Sequence, residues 1–488
     1  MKPARALHWF RRDLRLRDNT ALLAAQNAAT DGVVGLYVVC PGQWREHDES
    51  AVKVDFWLRN LRELESDLDD LNIPLVIAHA KTLRDVPKVV GRVCDDARCD
   101  ALFFNKEYEV NERRRDDAVR DKLLRAGKTV HGFDDRTILP PGEVVTKQGG
   151  WYTVYTPFLN RWLEELDRVG WSVGDRPRKQ KPLEGVGSTG VPDGVKGFGS
   201  SVDPALWPAG ERSASGRLGS FVADRIEAYD DRRDIPSESA TSTLSPYLAA
   251  GVLSPRACLD AAMNADGGAI RAGKQHKGRE TGPGVWISEL VWREFYIHLT
   301  FTHPRVSMSR AFKPDTEKLA WQSDEHGFRA WCEGRTGFPI VDAGMRQLNA
   351  TGWMHNRLRM IVAMFLTKDL FVDWRRGERY FMRRLVDGEL ASNNGGWQWS
   401  ASTGTDAAPY FRIYNPETQG RRFDPDGAYV REWMPELARL PGKKALEPWR
   451  LPDGERSGLD YPDRIVDHKK ARDRVMEAFQ ALAADRRS

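Results

Sequence analysis

Two short stretches carry residue types that could do chemistry at a usable spacing. The first is WISELVWREFY, residues 286–296. At helical spacing Glu289, Trp292, Arg293 and Tyr296 fall on one face, while Leu290, Val291 and Leu299 lie elsewhere for a core. An acid, an indole and a guanidinium on one face can hydrogen-bond to and stack on a flat polar ligand. The same pattern also fits a plain amphipathic helix with an internal Glu289–Arg293 pair worth roughly 0.3 kcal/mol. The second stretch is NNGGWQW, which places Trp397 and Trp399 one residue apart behind a glycine-rich lead. Read as an extended, glycine-hinged turn, it sends the two indoles to opposite sides. TSTLS, 241–245, offers hydroxyls and backbone N–H groups just before Pro246 that could ligand a phosphate or simply cap a helix. In TGWMHNRLRMIVAMF, Asn356 and Met360 are four apart and face the same way. No nucleophile–base set, HExxH or Walker sequence is present, so hydrolase chemistry has no support.

These residues need a scaffold, and the chain changes character along its length. In the first third, ALHWF (6–10), GVVGLYVV (32–39), IPLVIAH (73–79), ALFFN (101–105) and TVHGF (129–133) read as strands. Amphipathic stretches such as FWLRNLRELESDLDDL (56–71) separate them, with Trp57, Leu61, Leu64, Leu68 and Leu71 to one side. That alternation predicts a parallel five-stranded sheet with helices on both faces. RRDLRLRDN follows the first strand where a glycine fingerprint would stand, so a standard dinucleotide site is not expected there. A segment rich in Gly, Pro, Ser and Val, about 178–204, reads as a connector. Beyond it the patterns are helical to the end, with Ser254-Pro255 as N-cap and first helical residue and SELVWREFYIHLTF and HNRLRMIVAMFLTKDLF as strong helices. The expected organisation is an α/β domain over 1–135, an interdomain connector over 136–210 and an all-α domain over 211–488.

Composition narrows the class. The chain has 488 residues, a net charge of +4 and 41% hydrophobic content, which fits a globular protein of two or three domains. No run is long enough to span a bilayer, and the N-terminus lacks a signal-peptide core. Five cysteines, odd in number and without metal spacing, fit reduced cytoplasmic thiols; no metal site is expected. The modest net charge argues against a uniformly basic nucleic-acid binder, yet residues 343–384 hold nine Lys/Arg against three Asp/Glu. Such a cluster can track phosphates or be a solvated helix face. Of the 17 tryptophans, ten lie from Trp286 onward, enough for a large core or for stacking on flat ligands.

RRDLRLRDN, TSTLSPYLAAGVLSP, ELVWREFY, TGFPIVDAGMRQLNATGWMHNRLRMI and above all NNGGWQWSASTGTDAAPYFRIYNP resemble the photolyase/cryptochrome family, and look most like class I cyclobutane pyrimidine dimer photolyases of bacteria. The resemblance spans nearly the whole chain. It implies that the helical domain is an FAD-binding domain. By motif match the FAD contacts would be Tyr229, Thr241, Ser242, Thr243, Leu244, Ser245, Trp286, Glu289, Arg293, Asn356, Arg359, Asp387, Gly388, Glu389 and Asn393. Arg359 and Asp387 match an ion pair beside the flavin. Glu389 stands where the family often has Asp, and Asn393 matches the residue facing the flavin's reactive nitrogen. The implied activity is light-driven dimer repair, in which photoexcited, fully reduced FAD passes an electron to a flipped-out dimer. Glu289 would hydrogen-bond the dimer carbonyls, and Trp292 and Trp399 would wall the pocket. Tyr296, Arg293, Asn356, Arg357 and Met360 would complete it, while Arg233 and Arg412 grip the DNA backbone. Trp397, Trp374 and Trp321 match a chain of tryptophans from flavin to surface, with Trp397 facing the flavin. His47, Asn111 and Glu112 match an antenna site for 5,10-methenyltetrahydrofolate, with a deazaflavin as alternative. Expected partners are double- or single-stranded DNA carrying pyrimidine dimers and no membrane, for a monomer in the cytoplasm. Two rival readings keep the fold: a cryptochrome-type blue-light photoreceptor, which usually carries a long C-terminal extension, and a (6-4) photoproduct photolyase, which favours paired histidines where this chain has His355-Asn356.

Overall fold

The computed structural model describes residues 2–267 and 281–485. The last three residues of the basic C-terminal stretch lie outside the described part. Two compact units result: residues 1–230, 242–304 and 386–389 form the first, and 231–241, 305–385 and 390–488 the second.

The first unit is built on five parallel strands, β1 (Arg5–Phe10), β2 (Gly32–Val39), β3 (Leu75–His79), β4 (Ala101–Asn105) and β5 (Thr129–Phe133), ordered β3-β2-β1-β4-β5. β1 runs in register with β2 from Arg5↔Gly32 and with β4 from Ala6↔Ala101. Between the strands lie the helices Thr20–Ala28, Ala51–Asp69, Val86–Asp96 and Val110–Arg125, the first two capped by the side chains of Asn19 and Ser50. A parallel sheet covered on both faces needs apolar residues throughout its strands, and β1 and β4 are buried almost end to end.

RRDLRLRDN has a structural use. Arg11, Asp13, Arg15, Asp18 and Asn19 are all buried. Asp13 accepts from the Arg11 N–H at 2.7 Å and from Asn105 at 2.7 Å, and Arg15 binds Asp135 and the carbonyls of Asp18 and Gly251. Residues 171–203 hold neither helix nor strand but are anchored. Gln180 bonds both the N–H and the carbonyl of Val33, and Ser188 and Thr189 receive the Leu75 and Ile77 N–H groups. The connector thus covers the open edge of β3.

The same unit carries the helices Tyr155–Val169, Glu211–Asp224, Pro255–Ala265 and Gly282–Thr302. Ser254 caps the third, accepting from the Arg256 and Ala257 N–H groups ahead of Pro255. The second unit is helical. Its core gathers Trp331, Trp374, Trp397, Phe381 and Leu358 from the helices Glu325–Glu333, Asn356–Met364, Trp374–Met382 and Leu390–Ala401. HNRLRMIVAMFLTKDLF is helical with a π-helical turn at Phe365–Asp369. NNGGWQW is not extended, contrary to the sequence reading: it lies inside the helix Leu390–Ala401. Two glycines and two asparagines disfavour helix locally, but packing of Trp397 into the core overrides propensity. Among the described residues no helix is long and apolar enough to cross a membrane, and no cluster of His, Cys, Asp and Glu could hold a metal.

Candidate functional site

The helix Gly282–Thr302 is buried almost all round except on the face predicted to do chemistry: Glu289, Trp292, Arg293 and Tyr296 are all half-buried. Trp292 is fixed from one side. Tyr155 stacks on it at 3.6 Å between ring centroids and 7° between planes, and donates its hydroxyl to the Ser288 carbonyl at 2.7 Å. Tyr296 lies 5.6 Å from Trp292, one turn along. Arg293 is committed elsewhere: it forks onto Glu389 at 3.0 and 2.8 Å and donates to the Arg136 carbonyl at 2.7 Å. Arg136 adds a second guanidinium to Glu389 at 2.7 Å. Burial would raise the Glu389 carboxyl, but Arg293 and Arg136 outweigh it and hold it at about 2. The longer side chain at position 389 is therefore anchored by two arginines.

The residues next to Glu389 are tied as firmly. Ser245 donates its hydroxyl to Asp387 at 2.6 Å. Ahead of Ser245, Thr243 sits in the left-handed region at φ 51°, rare for a β-branched residue, and Arg217 donates to its hydroxyl at 2.6 Å. Ser242 and Thr243 are half-buried and Leu244 is buried, and the Thr243 hydroxyl also donates to the Ser242 carbonyl at 2.8 Å. Tyr229, Phe221 and Trp286 form an aromatic cluster, with Phe221 5.7 Å from Tyr229 and 5.1 Å from Trp286. Hydroxyls can donate to a phosphate and buried aromatics can pack against a flat ring, while a carboxylate accepts from a ligand N–H or O–H.

Also within the first unit, His47, Asn111 and Glu112 come together. Asn111 Nδ2 lies 3.2 Å from His47 Nε2, His47 Nδ1 lies 3.3 Å from Glu112, and Gln43 donates to Glu112 at 3.0 Å. His47 thus faces the carboxylate with Nδ1 and Asn111 with Nε2. Burial raises the Glu112 carboxyl, as does nearby Glu109, against His47.

In the second unit Asn393 is buried and donates its amide N–H to the Glu378 carbonyl at 3.0 Å, which leaves its amide oxygen as the atom a ligand N–H could meet. Trp374 and Trp397 are buried in one cluster, and half-buried Trp321 packs against it. Trp397 meets Trp331 and Phe381 edge-on at 5.9 and 5.0 Å, whereas Trp399 is half-buried. The two indoles do point to different surroundings, through helical rather than extended geometry.

The other residues expected near DNA are arranged as follows. Asn356 is exposed at the start of its helix, and Met360 and Arg357 touch at 3.8 Å. Arg357 pairs with Asp234 at 2.5 Å and lies 4.4 Å over Phe423. Arg359 donates to the Met354 carbonyl at 2.8 Å. Arg233 is half-buried, 3.9 Å from Asp234, and Thr241 lies in the same unit. Arg412 is exposed beside Phe411, itself 60% exposed. His355, whose neighbour bears on the paired-histidine reading, is the buried N-cap that accepts from the Arg357 N–H at 3.1 Å; burial pushes it down to about 4, so it is neutral.

Arg136, Tyr155 and Glu378 escaped sequence reasoning. Arg136 and Tyr155 act on partners 253 and 133 residues along the chain, and Glu378 receives Asn393 and Asn394, 15 and 16 residues on, so no helical or strand spacing marks them.

Residues 6–182 match the family model described as DNA photolyase, and residues 286–481 the one described as FAD binding domain of DNA photolyase. The deoxyribodipyrimidine photo-lyase of Salmonella typhimurium is 46% identical over 97% of this chain and 98% of its own. That of Escherichia coli is 45% identical over 97% of this chain and 98% of its own. A bacterial class III photolyase from Agrobacterium tumefaciens superposes with a TM-score of 0.84 at 36% identity, covering 99% of this chain and 98% of that one. A cryptochrome from Synechocystis does so with a TM-score of 0.85 at 25% identity, covering 97% and 98%.

Proposed function

Because the chain belongs to the DNA photolyase family, we propose that it repairs cyclobutane pyrimidine dimers in DNA by light, as a deoxyribodipyrimidine photo-lyase that works with FAD. The observation that carries this reading is the correspondence, nearly end to end, with bacterial photo-lyases at 46% and 45% identity. The half-buried face of Glu289, Trp292 and Tyr296 agrees with it.

Bound and fully reduced, FAD would supply the light-driven electron that opens the cyclobutane ring. This chain's residues do the rest. By the motif match, Tyr229, Thr241, Ser242, Thr243, Leu244, Ser245, Trp286, Asn356, Arg359, Asp387, Gly388, Glu389 and Asn393 are the positions that would hold the cofactor. Asn393 would accept from a flavin N–H with its amide oxygen, since its amide nitrogen is bonded to Glu378. Arg293 serves the cofactor side through Glu389. Glu289 would bond the dimer's carbonyl groups and steady the negative charge that develops on them. Trp292, backed by Tyr155, would stack on the lesion, and Trp399 and Met360 would supply apolar contact for the two linked pyrimidines taken out of the stack. Arg233, Arg357 and Arg412 would hold the DNA backbone, on duplex or single strands. Trp397, Trp374 and Trp321 would relay electrons between the flavin site and the surface. His47, Asn111 and Glu112 would bind a folate antenna, with a deazaflavin the alternative ligand. The protein would act as a cytoplasmic monomer.

The test is direct. Purified protein should show flavin absorption, and blue light after chemical reduction should restore the absorbance of dimer-containing oligothymidylate. Bound FAD with no light-dependent restoration would turn the reading towards the photoreceptor function that the cryptochrome likeness represents.

A further inference from the structure

The linker Val386–Glu389 joins two helices of the second unit yet belongs to the first. Its ties include one made by a residue that is out of place. Lys53 is the third residue of the helix Ala51–Asp69 and is 1% exposed. A cation in the first turn of a helix opposes the helix dipole, and a buried ammonium is costly unless paired. Burial accordingly lowers the Lys53 pKa against the pull of Glu49. Lys53 Nζ donates to two acceptors, the Glu49 carboxylate and the Gly388 carbonyl, and lies 4.9 Å over the Trp57 ring.

The contacts continue into a closed circuit. Glu49 lies 3.6 Å from Arg12, and Arg12 donates to Glu109 at 3.1 Å. Glu109 receives Arg136 at 3.1 Å, and Arg136 reaches Glu389 at 2.7 Å. The circuit therefore begins at the carbonyl of residue 388 and returns at the side chain of residue 389. A lysine serving only to neutralise Glu49 would not need to reach that carbonyl.

We infer that Lys53 is a positioning residue for the cofactor: it sets the height and orientation of the 387–389 peptide planes, while Arg136 and Arg293 set the Glu389 side chain. This rests on the reading that Asp387, Gly388 and Glu389 contact FAD. Removing the ammonium should leave the Gly388 carbonyl buried and unsatisfied, and the linker should shift or loosen.

Two full-length variants test this, Lys53→Met and the double variant Lys53→Met with Glu49→Gln. The second removes both charges, so it keeps a neutral interior if the single variant folds poorly. Two measurements are made on FAD-loaded protein: flavin release on dilution, followed by fluorescence, and amide hydrogen exchange of a peptide covering residues 385–391. The expected result is FAD release at least tenfold faster, with faster exchange in that peptide, in both variants. Peptides from the helix Gly282–Thr302 should be unchanged. Wild-type release and exchange in the double variant would overturn the inference, because Lys53 would then only be neutralising Glu49. Faster exchange with unchanged flavin release would show the tether but overturn its role toward the cofactor. Failure of the wild-type chain to bind FAD would instead refute the cofactor reading itself.

Discussion

At the scale of single residues, Glu289 stands half-buried on the helix face it shares with Trp292 and Arg293, the position proposed to meet the dimer carbonyls. On that proposal Glu289→Ala should lower repair more than dimer binding. Its hydrogen bonds matter most once the dimer is charged, and loss of one such contact costs roughly 3 kcal/mol in comparable oxyanion sites. Repair quantum yield measured with saturating dimer checks this, and an unchanged yield would remove Glu289 from the chemistry. Glu378 makes a different prediction. It is buried, and burial raises its carboxyl from the ordinary 4.5 to about 7, although Asn394 donates to it at 2.8 Å. Its folded-state value lies above the unfolded one, so the folded chain holds this proton more tightly. The stability it contributes is present below the ordinary value and is lost as pH rises towards about 7. That amounts to ~3 kcal/mol at most. Glu378→Gln, which stays neutral, should flatten the fall in stability between about pH 5 and pH 8; denaturant midpoints at the two pH values provide the measurement.

At the scale of elements, the helix Trp374–Met382 lies against Leu390–Ala401 because Gly377 has no side chain. A Cβ placed there would run into the Trp397 indole and the Leu366 side chain. Gly377→Ala should cost about 1–3 kcal/mol through overpacking and should displace Trp397. Photoreduction of oxidised flavin should slow, while dimer binding through Trp399 persists. Trp399→Ala should do the opposite, leaving photoreduction and weakening dimer affinity by on the order of 1–3 kcal/mol. Equal loss of both activities in both variants would mean that the two indoles pack one shared core. Residues two apart on a helix point about 200° apart, so this division follows from helical geometry. Here the sequence misled. Asn-Asn-Gly-Gly has the propensity of a turn, and only the tertiary cluster around Trp331 and Phe381 makes it helical. The strands were easier to read, because buried parallel strands are continuous apolar runs: GVVGLYVV is β2 to the residue. The half-buried face of Gly282–Thr302 was also legible, from the helical spacing of Glu289, Trp292, Arg293 and Tyr296. Lys53 and Arg136 could not be read, since their meaning lies in contacts 335 and 253 residues away along the chain.

At the scale of the whole molecule, a net charge of +4 makes DNA binding depend on where the positive charges remain available. The basic excess over residues 343–384 shrinks once the chain folds. Arg346 forks onto Glu436 at 2.9 and 2.6 Å, Arg375 and Arg376 pair with Glu317 and Glu325, and Lys368 is fully buried. Burial also lowers Lys368 to about 7, with Lys313 adding to the shift. A count of charges along the sequence therefore overstates the phosphate-binding surface. Arg412, exposed beside the exposed ring of Phe411, is a better candidate than any of these four. Each phosphate contact contributes about 0.9 to the slope of log affinity against log salt on duplex DNA. Arg412→Ala should reduce that slope by about 0.9 and weaken dimer-containing and undamaged DNA by the same factor, because a phosphate contact carries no lesion specificity. Arg346→Ala should leave the slope unchanged. Binding isotherms for both variants at several salt concentrations decide the matter. If Arg346→Ala changed the slope and Arg412→Ala did not, the linear charge cluster rather than the exposed loop would be the surface that meets DNA.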